Sequence, residues 1–333
     1  MKSPTEVLLN YETAPVPTVS DLDQTFNLVR DYAAVNRHDM MSTTKKGTPL
    51  VYRCAVTISP VERLNPSHSD ALFAEDEAQT GEQGAAAAYS LSNLEYRLIV
   101  KGTGNNWVYR EGSEKVVKAR EAMYRSAGVK MSERGAYDKH IRYCWDTDGE
   151  TYLSPLNASK SAFTGGNWEK SLLIFPDDTG GAHVKLQGNH TTEETATAHV
   201  SVSLPQLYLA SRNQVRADSN NDVSDQPADH SVIRKLLAPN FMGSNDEIVD
   251  LARDNQDNPP YDLDQLGDAT EPRELARIHI GQASGISATC VVDIPFGIGQ
   301  FEVKAFNRTD AEDTEDVLPL HIGIEVLQIY EMQ

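Results

Sequence analysis

A chain of 333 residues, 39% hydrophobic and 24% charged, has the composition of a folded protein and is long enough for two ordinary domains or one large β domain with long loops. No stretch approaches the roughly 18 apolar residues that a spanning helix needs. The net charge of −19 sets the molecule as a whole against a polyanion, so free or sequence-specific nucleic acid is not an expected partner.

That charge is unevenly placed. Residues 1–165 carry 19 Lys+Arg against 21 Asp+Glu, whereas residues 166–333 carry 11 against 28. Within the first half, residues 97–142 hold 11 basic and 5 acidic side chains. A basic segment opposite an acidic half suits complementary surfaces, within a subunit or between copies, and also suits two merely solvated faces.

Taken in chain order, the N-terminal MKSPTEVLLNYETAPVPTVSD has one lysine and no apolar core of signal-peptide length, so a secretory route is not expected. Pro15 and Pro17 give it the look of an extended arm able to lie across a neighbouring subunit, or of a frayed end. Leu22–Val35 is a possible helix. Short alternating or apolar runs predict strands over Leu50–Ser59, Leu91–Lys101, Trp107–Arg110 and His140–Trp145. Gly102–Asn106 reads as a β-turn between two of them. Helix is expected over Glu114–Ala127, with Ser113 as N-cap and Gly128 as the stop.

Further strands are expected at Trp168–Phe175, Ala182–Gln187, Thr197–Leu209, Arg277–Gly281, Ile286–Ile294, Phe301–Phe306 and Leu318–Tyr330. Ser231–Leu237 and Asp246–Arg253 have helical character. Polar tracts at Leu64–Gly84, Arg212–His230 and Asp254–Pro272 exceed what turns require. The fold class is therefore all-β, mainly antiparallel with a few short helices, and lacks the regular strand–helix alternation of a parallel-sheet enzyme.

Catalytic patterns fail one by one. RLIVKGTGNNWVYR begins like a phosphate-binding loop, but no Gly-Lys-Ser/Thr follows, and Trp107 stands where a dinucleotide fingerprint needs its third glycine. GxSxG and HExxH are absent, and Ser42 with Lys45 makes an SxxK match that lacks its KTG partner. His183 and His190 have the spacing of a surface pair more than of a metal site. The carboxylate tracts at 218–229 and 254–268 do not match the EF-hand register, so a structural metal stays unknown. Asp146, Asp148 and Gly149 fit a hairpin turn.

Cys54, Cys144 and Cys290 lie far apart in strand-like runs, which fits buried free thiols in a reducing compartment. Sequons at Asn157, Asn189 and Asn307 read as chance. No catalytic or cofactor-binding residue can be named, no cofactor is expected, and the chain is not expected to be an enzyme.

The runs LVYRCAVTIS and NLEYRLIVKG, the helix after NWVYR, and the C-terminal ISATCVVDIPFGIGQFEVKAF and LPLHIGIEVLQIYEM together resemble the jelly-roll major capsid proteins of icosahedral viruses. The resemblance is one of architecture. It implies two tandem sandwiches, a double jelly roll split into 1–165 (with the N-terminal arm) and an acidic 166–333. The alternative is a single jelly roll with long insertions, whose interior-facing segment would be Arg97–Arg142.

It also implies a protein made in the host cytoplasm that assembles with itself, as trimeric capsomers or a shell, and with other virion proteins. A β-sandwich carbohydrate-binding protein or glycan-active hydrolase, using Trp107, Trp145 and Trp168 as stacking platforms, is the rival from another class. A metabolic enzyme with no recognisable motif is a third reading.

Overall fold

The protein is described from a computed structural model, in which residues 7–14, 16, 21–60, 94–130, 132–135, 137–146, 151–163, 166, 168–174, 181–188, 201–212, 272–281, 287–307 and 319–333 are placed. In chain order the elements are β1 (Leu8–Glu12), β2 (Leu22–Asn27), α1 (Leu28–Asn36), β3 (Leu50–Pro60), β4 (Leu94–Gly102), α2 (Trp107–Ser126), β5 (Leu172–Ile174) and β6 (Gly181–Lys185). They continue with β7 (Ser201–Ser203), α3 (Leu204–Arg212), β8 (Arg273–Ile280), β9 (Ala288–Pro295), β10 (Ile298–Asn307) and β11 (Leu320–Glu331). The protein is mainly β, as the sequence predicts, and no described helix is long and apolar enough to cross a membrane.

Two four-stranded antiparallel sheets, ordered β1-β11-β3-β9 and β2-β10-β4-β8, enclose the main core. Period-two alternation decides which side chains go in. Tyr52, Cys54, Val56 and Ile58 of β3, Ile322 and Ile324 of β11, and Phe301, Val303 and Ala305 of β10 are all fully buried. Between them, Arg53 and Thr57 of β3 and Glu302 and Lys304 of β10 point outward.

Residue 165 does not divide the described strands into two sandwiches. Each four-stranded sheet combines strands from both halves of the chain, because β1 and β3 pair with β11 and β2 and β4 pair with β10. The expected N-terminal arm is likewise built in: residues 8–12 form an edge strand, with Leu9 and Tyr11 buried against α1 and β11.

Several local expectations are corrected by capping. Asn27 ends β2 and caps α1 by accepting a hydrogen bond from Arg30 N, so Leu22–Val35 is strand then helix. Asn106 caps α2 through Tyr109 N, so Trp107–Arg110 is the first turn of a helix, and Gly102–Asn106 leads into that helix instead of back into a strand. Ser113 sits inside it, buried, donating to Gly47 O at 2.7 Å. Gly128, at φ +74, stops the helix as expected.

Of the run 197–209, residues 197–200 lie outside the described residues and 201–203 are strand; Pro205 then occupies a first-turn position whose N–H would be unpaired anyway, and α3 begins. His140–Trp145 forms no regular strand beyond the single bridge of Cys144 to Lys185. The expected helices at 231–237 and 246–253 and the three polar tracts lie largely or wholly outside the described residues.

The described chain between β4 and β8 is an insertion, part of which runs along the side of the sandwich, where Leu153 N donates to Thr25 O and Leu156 N to Asn10 O. It contributes α2, the small sheet β5-β6-β7 and α3 to a second core around Tyr109, Val116, Tyr143, Trp145 and Leu204. The helices come close where Gly112 meets the chain of Leu204; a Cβ there would stand 2.8 Å from its carbonyl oxygen.

The sandwich's share of this core is Val51, Ile298, Met332 and Phe296. Phe296 and Gly297 form the two-residue turn that carries the chain from β9 of one sheet to β10 of the other, both at positive φ (+60 and +68). A bulky residue pays strain at such a φ. The ring is held edge-on to Tyr143 (5.1 Å between centroids) and Tyr109 (6.4 Å). Phe296→Ala is expected to lower stability by about 3–5 kcal/mol, the cost of emptying a buried aromatic site, measured by urea denaturation.

Candidate functional site

The basic segment singled out by sequence, 97–142, is divided by the fold into groups with different fates. Arg97 and Lys101 of β4 lie on the outer face of the second sheet. There Glu302 of β10 meets both, at 3.1 and 2.6 Å, while Asp21, Asp23 and Lys304 complete a lattice of ion pairs. Arg120 and Arg134 are buried beside α2, the first paired with Asp138 and the second with Glu121 at 2.9 Å, and Arg134 lies 3.9 Å over the ring of Tyr124.

Lys115, Lys118 and Arg125, spaced three and seven apart, share one face of α2. They, together with Lys45, Lys46, Lys130 and Lys139, have no acidic partner among the described residues. Of these, Lys45, Lys46, Lys118, Arg125, Lys130 and Lys139 are exposed.

Two of these cations, Lys45 and Lys139, line the first of two clefts that lie on either side of the segment 137–142. The first, about 440 Å³, lies between the loop 43–45, α2 and the segment 132–141. Lys45 and Lys139 face it beside the hydroxyl side chains of Thr43, Thr44 and Ser132. His140 lies there too; burial lowers its pKa, Arg120, Lys45 and Lys139 push the same way, and Asp39 opposes them. The loop is held on α2 by the buried Ser113 hydroxyl, which also meets the Tyr143 hydroxyl at 2.8 Å.

The second cleft, about 580 Å³, opens between the C-terminal end of α1 and the chain around Tyr137, Arg142, Phe163 and Trp168. The Arg142 guanidinium lies over Trp168, 4.5 Å from the ring centroid, and donates to the carbonyls of Tyr137 (3.1 Å) and Glu169 (3.4 Å). Arg37, in the left-handed conformation that ends α1, is exposed. In the cleft walls His38 Nε2 and Trp168 Nε1 are buried without a hydrogen-bond partner. Such orphaned donors and acceptors are uncommon and concentrate where a structure has a use for them. A third hollow of about 340 Å³, near Glu12, Lys160 and His321, has no comparable convergence.

The remaining residues weighed by sequence are scattered. Ser42 is buried and Lys45 exposed; His183 lies on β6, and His190 and the tracts 218–229 and 254–268 are outside the described residues, as are Asp148, Gly149 and Asn189. Among the described residues no group of three His, Cys, Asp or Glu could hold a metal. The three cysteines are free, and burial pushes the Cys54 thiol up beyond reach. Trp145 is buried in the second core and Trp107 is half exposed, so the three tryptophans form no shared platform.

Sequence reading missed Arg37 and His38 and saw Lys45 only as part of a failed motif. Arg142 and Trp168 were singled out, but for different reasons, and nothing in the chain signalled that they stack. No family model, curated protein or solved structure matches this chain.

Beside the second cleft, Arg30 ties the wall to the core. Its guanidinium meets Asp31 Oδ1 at 2.7 Å, and Tyr11 OH donates to Oδ2 at 2.8 Å. Asp31 is 1% exposed, and burial raises its carboxyl to about 6 against the opposing pull of Arg30 and Tyr11. Since the folded state holds this proton more tightly than the unfolded chain, the group's contribution is greatest below pH ~4 and is lost as pH rises through about 6, roughly 3 kcal/mol in all. Asp31→Asn is expected to remove that slope: its stability relative to the parent should improve between pH 4 and pH 7 in chemical denaturation.

Proposed function

We propose that the protein is a shell-forming structural protein, a major capsid protein of an icosahedral virus, folded as a single jelly roll with a long insertion between β4 and β8. The observation that carries this reading is the strand pairing. Numbering the eight sandwich strands in order, the first pairs with the last (β1·β11), the second with the seventh (β2·β10), the third with the sixth (β3·β9) and the fourth with the fifth (β4·β8). That nesting is a single antiparallel ribbon wrapped around a core, closed by the β11·β3 and β10·β4 pairings, and it is the plan of the jelly roll.

Two surface features support assembly with further copies. Leu8, Val291 and Leu327, on three strands of the first sheet, are each at least half exposed, a pattern suited to burial against a neighbour. The strongly acidic C-terminal half and the unpaired cations near α2 give one copy the means to set register on another. In this reading the protein acts in the virion after synthesis in the host cytoplasm, without catalysis.

The glycan-binding reading has less support. A sugar ring needs an open aromatic face, and Arg142 already occupies one face of Trp168.

Light scattering coupled to size exclusion, run at low and high salt, tests the proposal. Species several times the chain mass, shifting with ionic strength, are expected. A monomer at every salt and protein concentration would sink it.

A further inference from the structure

We propose that the two clefts flanking residues 137–142 bind single-stranded nucleic acid without sequence preference, a base stacking on the Arg142 guanidinium and phosphates lying along Arg37, Lys139 and Lys45. The inference stands on cleft geometry and takes from the shell reading only the source of the ligand, a packaged single-stranded genome.

The stacking element is preformed. Arg142 is planar, backed by Trp168 at 4.5 Å and fixed by two carbonyls, so its position is set before any ligand arrives. Unpaired bases stack on guanidinium planes as readily as on aromatic rings, and every base offers a face, which makes such binding tolerant of sequence. The highly exposed Tyr137 borders the same cleft and offers a second flat surface.

The phosphate contacts come from independent elements. Arg37 closes α1, Lys45 sits on the 42–49 loop and Lys139 on the segment between the clefts, none with an acidic partner among the described residues. Of the acids nearby, Asp31 pairs with Arg30, Asp138 with Arg120 and Glu121 with Arg134, and Asp39 is the acid that lines the second cleft. Both clefts are lined by the 137–142 segment, Tyr137 and Arg142 on one side and Lys139 and His140 on the other, so a strand bound in both would cross it. The second cleft, about 580 Å³, falls in the size range of small-molecule sites.

The molecule's net charge of −19 does not forbid this. At physiological salt, charges more than roughly 8 Å away are largely screened, and the local surface decides. It does require that binding be strongly salt-dependent.

The test is fluorescence anisotropy of labelled oligothymidylate and oligouridylate, about ten nucleotides long to cover one site of this kind. The full chain is titrated at low and high salt beside a labelled polyphosphate that carries charge and no bases. Binding of both oligonucleotides is expected, weakening with salt. Arg37→Glu, an exposed change, should weaken both about tenfold, the scale of one lost contact. Arg142→Lys, which keeps the charge and loses the plane, should weaken the oligonucleotides about tenfold and leave polyphosphate unchanged.

No binding at low salt overturns the proposal. So does equal binding of polyphosphate and oligonucleotide with no response to Arg142→Lys, which would leave a bare anion surface. Circular dichroism of each variant separates loss of the site from loss of the fold. Light scattering without oligonucleotide keeps the two proposals apart: assembly without binding removes only this one, and binding by a permanent monomer removes only the shell.

Discussion

The arrangement of the whole molecule depends on one turn. Phe296 carries a backbone conformation that a bulky residue adopts at a cost, and its ring sits where the sandwich meets the inserted segments. The same two residues join β9 of one sheet to β10 of the other, so they also fix how the sheets close at that end. Phe296 N donates to Leu50 O and Leu28 N to Gly297 O, which locks the starts of β3 and α1 onto the turn. With glycine at 296 the turn would be easier to form, but the second core would lose its anchor in the sandwich. The strain and the packing are parts of one solution, in which local backbone cost is offset by aromatic burial.

From that anchor follows the placement of charge. The insertion holds α2 and the segment 132–142 at the end of the sandwich, away from the second sheet's outer face, where Asp21, Asp23 and Glu302 neutralise Arg97, Lys101 and Lys304. A basic segment that is continuous in sequence thereby becomes two surfaces, one balanced and one not. Exposed pairs of this kind contribute little stability each. Their effect here is to engage β4's cations, whereas Lys115, Lys118 and Arg125 of α2 and Lys45 and Lys139 beside it have no acidic partner among the described residues.

Most of the sandwich could be read from alternation. Over most of β3 and β10 a period of two leaves one register that buries the apolar set, interrupted by register shifts at Val326/Gln328 of β11 and Val100/Lys101 of β4. What could not be read was where helices begin. In α2 the first residues are Trp107, Val108 and Tyr109, which favour strands, and the decision was made by Asn106 and by packing of Val108 and Tyr109 into the second core. In α3 the alternation persists into a helix that starts beside Pro205. Two short side-chain caps and one proline therefore outweighed periodicity.

The order of strands was illegible for a different reason: the nested pairing joins residues some 300 positions apart, such as Leu9 and Ile324, and no local signal encodes that. The resemblance implies a split at residue 165 into two tandem sandwiches, where the described strands instead return along their own path. The cleft was half legible. Arg142 and Trp168 stood out by type, while Arg37 and Lys45 acquired meaning from where the backbone carried them.

The two sheets also differ in how they meet what lies outside. At the edge of the second sheet, β8 presents Arg273, Glu274, Arg277 and His279, and Glu274 pairs with Arg277 at 2.6 Å. Charged side chains on an edge strand discourage further strand pairing. β9, the corresponding edge of the first sheet, offers Thr289, the 60% exposed Val291, and Asp293, whose charge is bound bidentately by Arg53 at 2.8 and 2.9 Å. Its neutralised charge and exposed valine lower the cost of covering that edge. The two edges thus differ in kind: β8 is guarded by charge, whereas β9 combines an exposed apolar side chain with a charge that is already paired.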